Sequence, residues 1–142
     1  MPAHEGSCLC GQTKITVEKK GTQQALCHCL DCQQTSGSAY VTVAVVSEAG
    51  LKVEGPTKVF ESPSESGRII YRTFCSNCGS QLTHKSSFMG KGIAVLTGNL
   101  PDFAHIPITT EMYVKDRWSV LPAIEGATQF HAMPPGVPPF DE

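Results

Sequence analysis

Cys27-His28-Cys29-Leu30-Asp31-Cys32 sets three thiols inside six residues, and the rest of the chain is best read outward from it. Two pairs flank it: Cys8-Leu9-Cys10 near the start and Cys75-Ser76-Asn77-Cys78 past the middle. All seven cysteines of the 142 residues therefore fall in three tight clusters. A tight turn brings side chains one or two residues apart to a common side. Thiolates so arranged suit a soft, borderline ion such as zinc, bound tetrahedrally at about 2.3 Å. Four thiolates close a structural site, and three leave a position open for water or substrate. Seven is read as one closed zinc site and one open one.

Cys27, Cys29 and Cys32 can ligate one ion without outside help. Cys8 and Cys10 joined with Cys75 and Cys78 would staple the N-terminal segment to a hairpin and close a long loop. Metal binding there would add to folding free energy. A competing partition, Cys8 and Cys10 with Cys27 and Cys29, uses Cys32 and the third pair less well. A zinc with four thiolates is a net dianion and a poor Lewis acid, whereas one with three can still take a fourth ligand. The plainer alternative makes both sites structural, His28 or a water completing the second.

Hydrophobic residues at 40% and charged residues at 17% describe a globular chain, and 142 residues suffice for one domain with a real core. A net charge of −2 leaves no electrostatic footprint for nucleic acid or an anionic membrane. No apolar run approaches the roughly 20 residues of a membrane-spanning helix. Met1-Pro2-Ala3-His4-Glu5 lacks the basic and apolar regions of a signal peptide, so a reducing, cytoplasmic setting is expected. There, paired cysteines bind metal or do redox chemistry more often than they form disulfides.

The local patterns predict strands. Thr13 to Glu18 alternates polar and apolar residues, Lys19 to Thr22 reads as a turn, and Ala25-Leu26 leads into the central cluster. Leu30 to Gln34 fits a single helical turn stopped by Ser36-Gly37-Ser38. Tyr40 to Val46 is the strongest strand, rich in β-branched residues and expected to be buried on both faces. Leu51 to Glu54 and Thr57 to Phe60 are short strands around the Gly55-Pro56 turn, followed by a polar loop from Ser62 to Gly67. Arg68 to Phe74 delivers Cys75 into a knuckle ending at Gly79, and Gln81 to His84 returns from it. Gly92 to Leu96 and Glu111 to Val114 complete the set. The expected fold is mainly β, a small antiparallel domain over residues 1–130. Pro134-Pro135 and Pro138-Pro139 mark a Pro-rich C-terminal tail over 131–142.

With these residues in view, the chain resembles the glutathione-dependent formaldehyde-activating family, which also includes centromere protein V. The resemblance rests on Gly6-Ser7-Cys8-Leu9-Cys10-Gly11 and on Cys27 to Gln33 with Ser36-Gly37-Ser38. It rests also on Phe74-Cys75-Ser76-Asn77-Cys78-Gly79-Ser80 and, more weakly, on Gly98-Asn99-Leu100, Pro107, Trp118 and Leu121-Pro122. It implies a folded-sheet, tent-like β domain stapled by zinc. It also implies two zincs per chain: a structural one on Cys8, Cys10, Cys75 and Cys78, and a catalytic one on Cys27, Cys29 and Cys32, whose permanence is left open. The implied chemistry is the condensation of formaldehyde with glutathione, or its carbon–sulfur lyase reverse. At the open position a substrate thiol would lose its proton and attack an adjacent carbonyl. No carboxylate or histidine within the motif presents itself for the proton on the hemiacetal oxygen.

One departure from the family pattern stands at Gln33, where the family often has arginine; glutamine lacks the charge to grip a carboxylate. The alternatives are a zinc lyase, hydrolase or isomerase of a secondary metabolite that works without glutathione, or a zinc-stapled binding module without catalysis. The expected partner is a small molecule, glutathione or another thiol, for a monomer or homodimer without nucleic acid or membrane. Gln33, Ser36, Gly37 and Ser38 are candidate substrate-binding residues, although a plain turn explains the last three equally well. His28, between two ligands, is expected to point away from the ion, with ligand or proton shuttle as the lesser reading. His84 is weighed as a pocket residue against a surface or hydrogen-bonded one, and Trp118 as packing rather than pocket. Lys14, Lys19 and Lys20 look like a solvated face.

Overall fold

The computed structural model describes residues 3–19, 23–65 and 67–134. Lys20, Gly21 and Thr22 of the expected turn, Ser66 of the expected loop, and the tail from Pro135 onward lie outside the described residues.

Among the described residues the strands form two sheets, and the fold is mainly β with antiparallel sheets. β2 (Lys14–Glu18) runs between β1 (Ala3–Ser7) and β5 (Leu51–Glu54) in a three-stranded sheet. Its alternation has the expected consequence: Ile15 and Val17 point inward and are fully buried, while Lys14 and Glu18 face solvent. The second sheet has eight strands. In spatial order they are β11 (Thr128–Gln129), β10 (Ile108–Met112), β3 (Gln24–Cys27), β4 (Val41–Ser47), β9 (Gly92–Leu96), β8 (Gln81–Lys85), β7 (Ile69–Cys75) and β6 (Thr57–Pro63). The one α-helix among the described residues, α1 (Leu30–Ser36), joins β3 to β4.

Gly55-Pro56 is where the chain leaves the small sheet for the edge of the large one. Gly55 has φ 134°, and a Cβ there would lie 2.3 Å from the carbonyl oxygen of Gln12, so only glycine fits the crossing.

The large sheet divides the molecule. Ala44 and Val46 of β4, with Val95, Leu82 and Cys75, pack against Ile15 and Val17 to form the core between the two sheets. Val41 and Val43, one step out of phase on β4, join Cys27, Cys32, Ala94, Leu96 and Tyr113 in a second cluster on the other face. β4 is thus largely buried on both faces, as its β-branched composition predicts.

Two expectations need correction, and the mainly antiparallel reading gains a detail. The segment expected to be a strand from Glu111 to Val114 is instead β10, Ile108–Met112, which ends where Tyr113 turns into the left-handed region at φ 56°. β10 also runs parallel to both β3 and β11, so the mainly antiparallel sheet has a parallel edge. The polar loop expected from Ser62 starts later, because Ser62 and Pro63 pair with Ile70 and Ile69; β6 is an edge strand, where a proline is tolerated.

Candidate functional site

Cys8, Cys10, Cys75 and Cys78 converge so that their four sulfurs lie within 4.8 Å of one another. Two similar knuckles deliver them. In the first, Cys8 N donates to Thr13 O at 3.0 Å; in the second, Cys75 N donates to Ser80 O at 2.9 Å and Gly79 N to Cys75 O at 2.8 Å. The Ser80 hydroxyl joins the two, accepting from Leu9 N at 3.1 Å and lying 3.2 Å from Cys78 Sγ. Tetrahedral thiolates with bonds of about 2.3 Å stand about 3.8 Å apart. The separations of Cys8 from Cys10 (3.5 Å) and of Cys10 from Cys75 (3.8 Å) fit that edge length. The Ser80 hydroxyl, followed by the backbone amides of Ser80 and Cys10, pulls the Cys78 thiol down to about 5. This is the donor set of a closed metal site.

Cys27, Cys29 and Cys32 also lie within 4.8 Å of one another, on the opposite face of the large sheet. Cys27 is the last residue of β3, and Cys29 caps α1, its sulfur accepting from Cys32 N at 3.3 Å. Hydrogen bonds from Cys27 and then Cys32 hold the Cys29 thiol down to about 3. Cys32 is lowered by its bond to Cys27 but pushed up overall, to about 12, by its bond to Cys29 and by burial. Cys27 is pushed well up by the same two neighbours and by burial. Three converging thiols, two of them buried, cannot all ionise side by side, and a cation among them removes the conflict. Both clusters can hold a metal ion, with the partition expected from spacing.

The three-thiol cluster forms one wall of a cavity of about 540 Å³. Its floor is a single face of the large sheet: Ile70 and Arg72 from β7, His84 from β8, Ala94 from β9, Val43 and Val45 from β4, and Met112 from β10. Leu30, Phe88, Met89 and Tyr113 add apolar sides, and Met133 and Pro134 reach back to the rim. Arg72 and His84 are direct cross-strand partners, both buried. Burial first, then the Arg72 charge, holds the His84 imidazole down to about 3, so it is neutral; its Nε2 lies 3.1 Å from Arg72 Nη1 and 3.1 Å from Gln81 Oε1.

The other expected site residues stand elsewhere. Gln33 turns away from the cavity: its amide donates to His28 O at 2.9 Å and to Asp116 O at 3.1 Å, and accepts from Trp118 Nε1 at 3.1 Å. Ser36 Oγ donates to Cys32 O at 2.7 Å, Gly37 takes the left-handed cap conformation, and Ser38 N donates to Ser36 Oγ. Those three close the end of α1 and do not line the cavity. His28 points away from its flanking cysteines onto Glu111 Oε1, 2.8 Å off. Trp118 is half exposed rather than packed in the core.

Arg72 escaped the sequence reading. Its signal was an arginine at an inward position between Ile70 and Phe74, on a strand otherwise read only for delivering Cys75.

The family model for the glutathione-dependent formaldehyde-activating enzyme matches residues 3–116. Relatives from Aspergillus flavus and Aspergillus oryzae carry the provisional name of a glutathione-dependent formaldehyde-activating enzyme. Each is 32% identical over 77 residues, 53% of this chain and 40% of the relative. The match therefore spans less than half the length of those curated relatives. The crystal structure of a Rhodobacter sphaeroides protein shares the fold, with TM-score 0.56 and 21% identity over 74% of this chain and 99% of that one. Among the described residues no helix is long and apolar enough to cross a membrane.

Proposed function

Since the chain belongs to the family of glutathione-dependent formaldehyde-activating enzymes, we propose that it is a zinc-dependent carbon–sulfur lyase or synthase acting on adducts of a thiol with a carbonyl carbon. The observation that carries this reading is the three-thiol cluster set in the wall of a cavity large enough for a small molecule. Cys27, Cys29 and Cys32 would hold the catalytic ion, and Cys8, Cys10, Cys75 and Cys78 the structural one. A zinc held by three thiolates supplies an open coordination position and lowers the proton affinity of a thiol that occupies it.

The chain's own residues do the rest. The apolar part of the floor and the Phe88, Met89 and Tyr113 sides would limit water around the reacting groups, and the confined space would orient thiol and carbonyl. The cytoplasm, where thiols stay reduced, suits seven cysteines of which none is in a disulfide.

A second reading of the substrate follows from the walls. Glutathione carries two carboxylates, whereas Arg72 is the one cation among the described residues lining the cavity, where the carboxylates of Asp31 and Glu65 also stand. That charge pattern favours a smaller, more apolar thiol adduct over glutathione.

Native mass spectrometry of zinc-loaded protein tests the proposal, combined with NMR exchange of ¹³C-formaldehyde with glutathione or ethanethiol. The wild type is expected to carry two zincs and to accelerate exchange with at least one thiol. Cys29→Ala is expected to carry one zinc, keep its fold and lose the acceleration. An unchanged zinc content in Cys29→Ala, or a wild type without effect on either exchange, would overturn it.

A further inference from the structure

The reaction leaves one group to be accounted for, the oxygen on the carbonyl carbon. In the adduct-forming direction the sulfur lone pair makes the C–S bond and the carbonyl π pair moves onto oxygen. The proton given up by the thiol is balanced by one taken up at that oxygen, and the lyase direction reverses each transfer. Charge gathers on the oxygen inside a largely apolar cavity, where preorganised donors have their greatest effect.

Arg72 has such donors to spare. Its guanidinium is buried in the cavity floor, with the residue only 6% exposed. Nη1 is engaged by His84, whereas Nη2 stands 3.8 Å from Asp31 Oδ2, an ion-pair distance too long for a hydrogen bond. Nε has no acceptor but is fully covered by protein, so Nη2 is the donor left for a ligand. An unfilled donor on a buried cation is destabilising unless a ligand completes it. The arginine is also close enough to the thiols for its charge to be felt at Cys29 and Cys32. It therefore shares one compartment with the sulfur chemistry. Asp31, the carboxylate next to Arg72 in the lining, would repel a second anionic group, whereas Glu65 is paired with Lys115 at 2.7 Å.

Resting on the reaction proposed above, we propose that Arg72 is a catalytic residue that donates to the carbonyl oxygen of the substrate, and that His84 is a positioning residue that holds the guanidinium. The cross-strand pairing of the two fixes this arrangement on adjacent strands rather than on loops.

Two probes of similar size separate the roles: mercaptoacetate, which carries an anionic oxygen near its sulfur, and ethanethiol, which does not. Titration calorimetry on the zinc-loaded protein should show the wild type preferring mercaptoacetate by roughly tenfold or more. Arg72→Ala should bring that preference to about one with ethanethiol binding unchanged, and Arg72→Lys should retain part of it. His84→Ala should weaken the preference and His84→Gln, which keeps an acceptor, should restore it. In exchange of formaldehyde with whichever thiol the wild type accepts, Arg72→Ala should lower kcat on the order of 100-fold with KM little changed.

Zinc content by native mass spectrometry shows which variants have folded; if Arg72→Ala does not, Arg72→Lys decides. A preference that survives in Arg72→Ala, a full preference in Arg72→Lys, or a change in KM alone would overturn the assignment while leaving thiol binding intact. A wild type that binds neither thiol overturns it together with the reaction it rests on.

Discussion

Glu111 is a carboxylate at 1% exposure with both oxygens occupied. Oε1 meets His28 Nε2 at 2.8 Å, while Oε2 accepts from Ile124 N and from Gln129 Nε2, each at 2.7 Å, with Arg117 at 3.5 Å. Burial alone would raise its pKa. The bonds from His28, Gln129 and Ile124 and the Arg117 charge outweigh that and bring it down to about 2. Because the folded value lies below the ordinary 4.5, the carboxylate's contribution is complete above that pH and drains away as pH falls toward 2. Glu111→Gln should therefore be less stable than the wild type at neutral pH by about 3 kcal/mol. The gap should narrow through the window from pH 4.5 down, as read by paired thermal melts. In the sequence Glu111 was legible only as one residue of a strand. Its partners lie up to 83 residues away, and a lone charge in a β pattern does not say what it meets. His28 was easier, since a residue between two ligands on a tight turn has little choice but to point outward.

At the scale of elements, α1 was readable in place, although it runs to Ser36, two residues past the single turn expected to end at Gln34. It starts after the third cluster residue and ends at the Ser-Gly-Ser stop, where Gly37 supplies φ 65° and its N–H donates to Gln33 O. What fixes the helix to the fold was less readable: Trp118 Nε1 donating to Gln33 Oε1 across 85 residues. This lone tryptophan is thus attached to the helix that carries Cys29 at its cap and Cys32 in its first turn. Withdrawing metal from the three-thiol cluster with a chelator should shift Trp118 emission. In Gln33→Ala the shift should shrink, and the melt should fall by about 1 kcal/mol for the lost bonds. The strands divide in the same way. β2 and β4 announced themselves by alternation or β-branched runs, β5 and β6 by the turn between them, and β7 and β8 by the cysteine knuckle they flank. β3 and β11 have four and two residues, too few to show a period. The parallel direction of β10 depends on which strands lie beside it, and local pattern is blind to that.

Across the whole molecule, the two cysteine clusters lie on opposite faces of one sheet: Cys8 and Cys75 anchor the four-thiol set in the core between the sheets, with Cys10 exposed, and the three-thiol set opens on the cavity. Their partition was legible because thiol spacing is a local property. The cavity was not, because its floor takes one or two residues from each of several strands, none of them unusual in its own segment. The asymmetry predicts unequal consequences. Cys75→Ser removes a fully buried thiol from the core and, on the proposed structural metal, should abolish cooperative unfolding in calorimetry. Cys29→Ser should leave a cooperative transition with a modest loss of melting temperature. Similar behaviour of the two variants would show that both clusters hold the domain together.

The sheet between the clusters has a bearing on ancestry as well as on stability. Ile70, Phe88 and Met89 shape the compartment offered to a ligand yet take no part in the packing between the sheets. Exchanges at these positions can accumulate in a lineage without eroding the scaffold, because the packing between the sheets that secures it is on the far side. Descendants of such a chain can part company in diet while inheriting the same skeleton.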